Sequence, residues 1–200
     1  MASFEVFTQR LDTLRQKLSA AGIDTAVITD DDSVYYYSGY YGYLHMDFGR
    51  PTLLVVSAEG ETVLITPTME QSLAESLAVV HRIELWNDGM GAEWREALPG
   101  LLGATAAIGI EPDLIPPPVR TFIDSIVEPK RYRDLTPIVS EMRMIKSQEE
   151  LKIARHAGEV GIAMMEAGRS AIKEGVAEYE VALAATTAGT HKAAELLRTH

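Results

Sequence analysis

Cysteine is absent from the chain, so neither disulfides nor thiolate chemistry contribute to its stability or reactivity, which fits a reducing compartment. Positive charge is scarce: 18 Lys and Arg stand against 29 Asp and Glu, a formal net charge of −11. Binding to nucleic-acid phosphates is driven by Lys and Arg releasing counterions, so this balance, with no basic run to offset it, argues against a nucleic-acid partner. No stretch approaches the ~20 apolar residues of a membrane span. The opening Met-Ala-Ser-Phe-Glu has neither the charged head nor the apolar core of a signal peptide. A cytoplasmic protein with no membrane partner is the expectation. Also missing are a Gly-x-Ser-x-Gly elbow, a phosphate-cradling glycine loop and a Cys/His pairing. What is present is 46% hydrophobic over 200 residues, sufficient for one domain with a real core, or one domain and part of a second.

The most distinctive stretch runs from Ser33 to Pro51, where six of nineteen residues are Tyr and Gly39, Gly42 and Gly49 break the run. Tyr joins a flat apolar ring to a hydrogen-bonding tip, which suits a surface that must hold something. Near its end Phe48 and Arg50 flank Gly49, so an aromatic wall and a guanidinium can face one small anionic group, Arg being able to fork onto a carboxylate. For Tyr35 to Tyr37 packing outweighs ligand binding; for Phe48 to Arg50 the balance reverses.

Around this stretch the pattern alternates. Phe4, Phe7, Leu11, Leu14 and Leu18 draw one apolar stripe on a helix that Ser3 can cap and Gly22 close. Ile23 to Thr29 reads as a strand ended by a solvated acidic turn, Asp30 to Asp32, and Thr52 to Ser57 with Thr62 to Thr66 as a hairpin. A helical stripe through Met69, Leu73 and Leu77, a strand from Ile83 to Trp86, and a helix through Trp94, Leu98 and Leu102 follow. Then come a strand from Ala106 to Ile110, a helix from Val119 to Ile126, and a strand from Tyr132 to Leu135. The reading is α/β, a three-layer domain over residues 1–135 with a mixed, mostly parallel sheet and one antiparallel hairpin. A doubly wound nucleotide-binding domain fits less well, because acids and not a glycine-rich phosphate turn follow the first strand.

From Thr136 onward only helices are predicted: Pro137 to Met144, Gln148 to about Ile172, and Glu178 to Leu197. Ser147-Gln148-Glu149-Glu150 is a capping box. Ala154, Ala157, Gly158, Gly161 and Gly168 keep one side of the long helix thin, and the last helix is short of large apolar anchors. Two such helices do not make a finished domain, so residues 136–200 are expected to be a linker and the opening helices of an incomplete second domain.

Several stretches carry a family likeness in their order and spacing along nearly the whole chain. They are Gly22-Ile23-Asp24-Thr25-Ala26-Val27, Tyr36-Tyr37-Ser38-Gly39, Phe48-Gly49-Arg50-Pro51, Ile108-Gly109-Ile110-Glu111, Met142 through Glu150, and Glu178-Tyr179-Glu180-Val181-Ala182. Together they resemble the creatinases, prolidases and aminopeptidases P, whose N-terminal α/β domain precedes a "pita-bread" catalytic domain. The resemblance implies an N-terminal, substrate-gating and dimer-forming part of a C–N bond hydrolase, either an Xaa-Pro peptidase or a creatinase-like amidinohydrolase. A stand-alone binding domain without chemistry is the competing reading. The Tyr-Tyr-Ser and Phe-Gly-Arg-Pro runs look most like the creatinase branch, whereas Thr66-Pro67-Thr68-Met69-Glu70-Gln71 is closer to the peptidases.

By this resemblance Phe48 and Arg50 bind substrate from across a homodimer, Arg50 holding the carboxylate of an Xaa-Pro peptide or a guanidino acid. No catalytic residue and no cofactor ligand is expected in the chain itself. Two divalent metal ions belong to the missing domain if the protein is a peptidase, and none if it is creatinase-like, where a His serves as acid and base. His45 and Asp47 could share a cation but have no third ligand nearby, and His81, His156, His191 and His200 read as isolated surface residues.

Overall fold

A computed structural model of the protein describes residues 4–42, 51–87, 93–102 and 106–198. Its contacts divide the chain into two compact units, Met1–Met144 and Ile145–His200.

The first unit begins with α1 (Phe4–Ala20), whose stripe of Phe7, Leu11, Leu14 and Leu18 is buried as the spacing predicts, while the expected cap Ser3 lies outside the described residues. Strand β1 (Thr25–Ile28) follows, buried at every position. The acidic run after it is not a solvated turn. Asp30 is the N-cap of a helix, α2 (Asp31–Ser38), its carboxylate accepting from Ser33 N at 3.0 Å. An Asp before a helix satisfies amides that have no partner inside it, and Asp31 and Asp32 in the first turn suit the positive end of the helix dipole. Gly39 ends α2 in the left-handed conformation at φ 74°, with its N–H bonded to Tyr35 O. The Phe7 ring lies so close that a methyl group on residue 39 would meet Phe7 Cε2 at 2.8 Å, so both backbone and packing demand glycine there.

The remaining elements are β2 (Leu53–Ser57), β3 (Thr62–Pro67), α3 (Gln71–Leu77), β4 (Arg82–Trp86), α4 (Leu98–Leu102), β5 (Ile108–Ile110), α5 (Pro117–Ile126), β6 (Tyr132–Asp134) and α6 (Thr136–Met144). The strands order as β4-β3-β2-β1-β5-β6. The pairs β1–β5, β3–β4 and β5–β6 are parallel; β2 runs antiparallel to both β3 and β1. Sequence alone predicts the β2–β3 hairpin, and the β1–β2 pairing is the addition. Because only β2 is reversed among these strands, β1, β3, β4, β5 and β6 share one carboxyl edge, and the chain between α2 and β2 starts and finishes at that edge.

Helices cover both faces. Leu14, Leu18, Val34, Tyr37, Ala74 and Val139 from α1, α2, α3 and α6 pack with Ala26, Ile28, Leu54 and Leu64 on one side. Leu98, Leu102, Val119 and Ile123 from α4 and α5 pack with Val27, Val55, Ile65 and Ile110 on the other. Neighbouring sheet residues go to opposite cores, as strand alternation requires, and each fully buried Leu or Ile contributes about 1.5–3 kcal/mol. This is the expected three-layer α/β domain.

The second unit is a pair of helices, α7 (Gln148–Ala171) and α8 (Glu178–Arg198). The capping box is formed: Glu150 N donates to Ser147 Oγ at 3.1 Å and Ser147 N to Glu150 Oε2 at 2.8 Å. The thin side of α7 is used only in part. Gly168 meets Ala185 and Val181 of α8, and Gly189 of α8 receives Met164, whereas Gly158 and Gly161 face open space. Ile162, Met165 and Leu183 stay exposed. Among the described residues no helix is long and apolar enough to cross a membrane.

Candidate functional site

Buried acids of the first unit collect at the carboxyl edge of the sheet, the side on which open α/β sheets bind their ligands. Two polar clusters stand there.

The first closes around the ends of the segment that carries Phe48 and Arg50. Tyr40, 0% exposed, donates its phenol hydrogen to the Glu70 carboxylate and lies 3.1 Å from Thr66 Oγ1. Thr66 Oγ1 is in turn 3.2 Å from Thr52 Oγ1, the first polar group after the segment. Glu70 is only 6% exposed, in a 3-10 turn just beyond β3. Burial and then the bond to Glu70 hold the Tyr40 phenol above the ordinary tyrosine range, so it stays a donor. Gly42 presses on the same group: a methyl there would come within 2.5 Å of Glu70 Oε2 and 2.9 Å of the Tyr40 hydroxyl. Tyr40 and Gly42 before the segment and Thr52 after it are thus tied to one point on β3 and the turn that follows.

The second cluster lies where β1 and β5 end. Asp30 Oδ2 accepts from Ser33 Oγ at 3.0 Å, and Arg143 Nη1 of α6 donates to Asp30 Oδ2 at 3.2 Å and to Ser33 Oγ at 2.8 Å. Arg143 Nη2 reaches Asp32 at 3.6 Å. Glu111, 4% exposed, completes the group, and its Oε2 has no hydrogen-bond partner among the described residues. Burial raises the Glu111 carboxyl above the usual glutamate value, the Asp30 charge adds to the rise, and Arg143 and Ser33 oppose it. Beside this cluster the Tyr36 hydroxyl donates to Met142 O at 2.8 Å, and the Arg10 guanidinium lies 3.9 Å above the Tyr36 ring while donating to Tyr36 O at 3.1 Å. The end of α6 is therefore held to α2 by Tyr36 and Arg143 together.

Of the residues singled out from sequence, Phe48, Arg50, His45 and Asp47 lie outside the described residues. Tyr35 to Tyr37 pack: Tyr37 is buried, Tyr36 is clamped as above, and Tyr35 sets its ring edge-on between Phe7 and Tyr41. His81 is not isolated, since its Nδ1 accepts from Thr62 N at 3.1 Å. Among the described residues no three His, Asp or Glu are grouped so as to hold a metal ion, so the two-metal centre of a peptidase does not fit them, and no step through a metal is drawn for them. Ser33, Tyr40, Thr52 and Thr66 all spend their hydroxyls on internal hydrogen bonds. Such an edge is built to hold chain in place.

Sequence reasoning missed Tyr40, Glu70 and Arg143 as a framework. The signals were modest: a lone acid beside Thr-Pro-Thr-Met, and an Arg in the run before the capping box.

Residues 10–145 match the creatinase/prolidase N-terminal domain family. A creatinase from Bacillus sp. is 27% identical over 194 residues, covering 93% of this chain and 45% of the relative. The Xaa-Pro dipeptidase of Pyrococcus furiosus is 26% identical over 178 residues, covering 87% and 46%. The crystal structure of the prolidase from Pyrococcus horikoshii superposes with a TM-score of 0.74 at 22% identity, over 92% of this chain and 48% of that one, a likeness of fold. The chain spans about half the length of the curated relatives it matches.

Proposed function

The chain belongs to the creatinase/prolidase N-terminal domain family, and on that premise we propose that it is the N-terminal, substrate-gating and dimer-forming part of a C–N bond hydrolase acting on Xaa-Pro peptides. In this reading Phe48 and Arg50 bind substrate: the Arg50 guanidinium forks onto the substrate carboxylate and the Phe48 ring walls its apolar side. They serve the reaction centre of a second copy, and that centre is built by polypeptide outside this chain. If it is a dinuclear metal site, two divalent cations supply the activated water there. The work of the present residues is binding and orientation, which lowers the barrier by holding the scissile bond where the nucleophile can reach it.

One observation carries the reading. The stems on both sides of the Phe48-Gly49-Arg50 run are tied to the carboxyl edge of the sheet by side-chain hydrogen bonds, buried at Tyr40 and partly buried at Thr52. Fixed stems suit a segment whose tip must present a guanidinium at a set place.

A second reading, a creatinase-like amidinohydrolase with no metal, is favoured by the creatinase that matches 93% of the chain. It keeps the same role for Arg50, since a guanidino acid also bears a carboxylate. Assays of the full-length protein on Xaa-Pro dipeptides and on creatine, with metal analysis, separate the two. Dipeptide hydrolysis with about two bound metals per chain supports the peptidase, and metal-free creatine hydrolysis the other. Turnover of neither leaves a non-catalytic binding domain. In whichever assay succeeds, Arg50→Ala should raise KM about 10-fold or more, and an unchanged KM contradicts its role.

A further inference from the structure

We propose that Tyr40 and Glu70 are positioning residues that set the root of the substrate-binding segment and act on substrate only through it. The inference rests on the reading of Phe48 and Arg50 given above and goes further, because it names groups that touch no substrate.

Glu70 is buried at the carboxyl edge, and burying a carboxylate is costly unless its oxygens are hydrogen-bonded. Glu70 accepts from the Tyr40 hydroxyl, which touches Thr66 as well, and Thr66 touches Thr52. The residues of this chain of contacts come from just before the segment, just after it, and the end of β3; the β2–β3 pairing already sets Thr52 beside Thr66, so Tyr40 and Glu70 are what join the incoming stem to that edge. A cluster meant only to fill space would be apolar at less cost, whereas a buried polar network that is satisfied fixes one arrangement of its members. Gly42 sharpens the point. A methyl group on residue 42 would come within 2.5 Å of Glu70 Oε2, so a side chain there fits only if the carboxylate moves, and the outgoing chain lies against that carboxylate.

Two measurements test this. In the full-length protein, Tyr40→Phe keeps the ring and removes the hydroxyl; it should raise KM about 10-fold for the carboxylate substrate while kcat stays within about two-fold. On an Arg50→Ala background it should add nothing, because the segment then has no guanidinium left to misplace. In the present chain, chymotrypsin cleavage at Tyr43, Leu44 or Phe48 should speed up about 10-fold in Tyr40→Phe, more than its lowered Tm accounts for. Gly42→Ala, which deletes no hydrogen-bonding group, should reproduce both effects and decides the matter should Tyr40→Phe fold poorly. Unchanged KM and unchanged cleavage in both variants overturn the proposal, as does a Tyr40→Phe effect that falls on kcat or multiplies that of Arg50→Ala. Failure of Arg50→Ala to raise KM, with Tyr40→Phe still doing so, sinks the carboxylate role of Arg50 and leaves the positioning role standing.

Discussion

The two polar clusters at the carboxyl edge answer the same physical problem in different ways. Around Glu70 the buried acid is met by neutral hydroxyls, Tyr40 with Thr66 and Thr52 behind it, and Tyr40 and Thr52 flank the segment bearing Phe48 and Arg50. Around Glu111 one cation, Arg143, serves Asp30 and Asp32, and one Glu111 carboxylate oxygen is left over. In the first arrangement the Tyr40 phenol, held above the ordinary tyrosine range by burial and then by its bond to Glu70, stays protonated and keeps that bond. The second carries more negative than positive charge and therefore responds to pH. One edge thus holds an anchor for the chain between α2 and β2 and a net-negative clasp, Arg143 on Asp30, for the helix that ends the first unit.

The largest way to break the contrast is Tyr40→Ala, which empties a fully buried ring site and removes the phenol that donates to Glu70. It should lower the unfolding free energy by about 4 kcal/mol in urea titration. Next is Arg143→Met, which keeps most of the bulk and leaves Asp30 and Glu111 facing each other without a cation. Since Arg143 is about a third exposed, a loss of about 2 kcal/mol is expected, smaller at low pH, where the acids are neutral.

Smaller, but more diagnostic, is Glu111→Gln. A carboxyl raised in the folded state binds its proton more tightly there than in the unfolded chain. Stability therefore falls as pH rises from the ordinary glutamate value through the raised one, and stays low above it. The amide removes that dependence, so thermal unfolding of Glu111→Gln should show a flatter Tm against pH, with wild type gaining on the variant as pH falls through this window. The smallest effect belongs to a residue away from the edge: Ser147→Ala removes half of the capping box and should cost about 1 kcal/mol of α7 stability, read as helix fraying by hydrogen exchange.

Much of the fold was legible. Stripes such as Leu11, Leu14 and Leu18 and apolar runs such as Thr62 to Thr66 state their periods openly, and the capping box at Ser147 is written in four letters. Helix α2 was hidden because Tyr is an indifferent helix former and three acids in a row read as a solvated turn. The cap signature, Asp30 with Ser33 three residues on, was nonetheless present. The antiparallel β1–β2 pairing could not be read at all: hydrophobic runs say that a strand is buried, not which neighbour it takes. Within the site, Phe48 and Arg50 stood out by residue type and family likeness, while Tyr40 and Glu70 did not. Their roles depend on a contact across thirty positions of sequence, which no local pattern encodes.

The central claim is that this edge lends a guanidinium to a carboxylate. The direct measurement compares KM for a carboxylate-bearing substrate with KM for its amide, in full-length wild type and in Arg50→Ala. Wild type should favour the carboxylate at least about 10-fold and the variant should bind both alike. An equal preference in the two proteins would contradict the account.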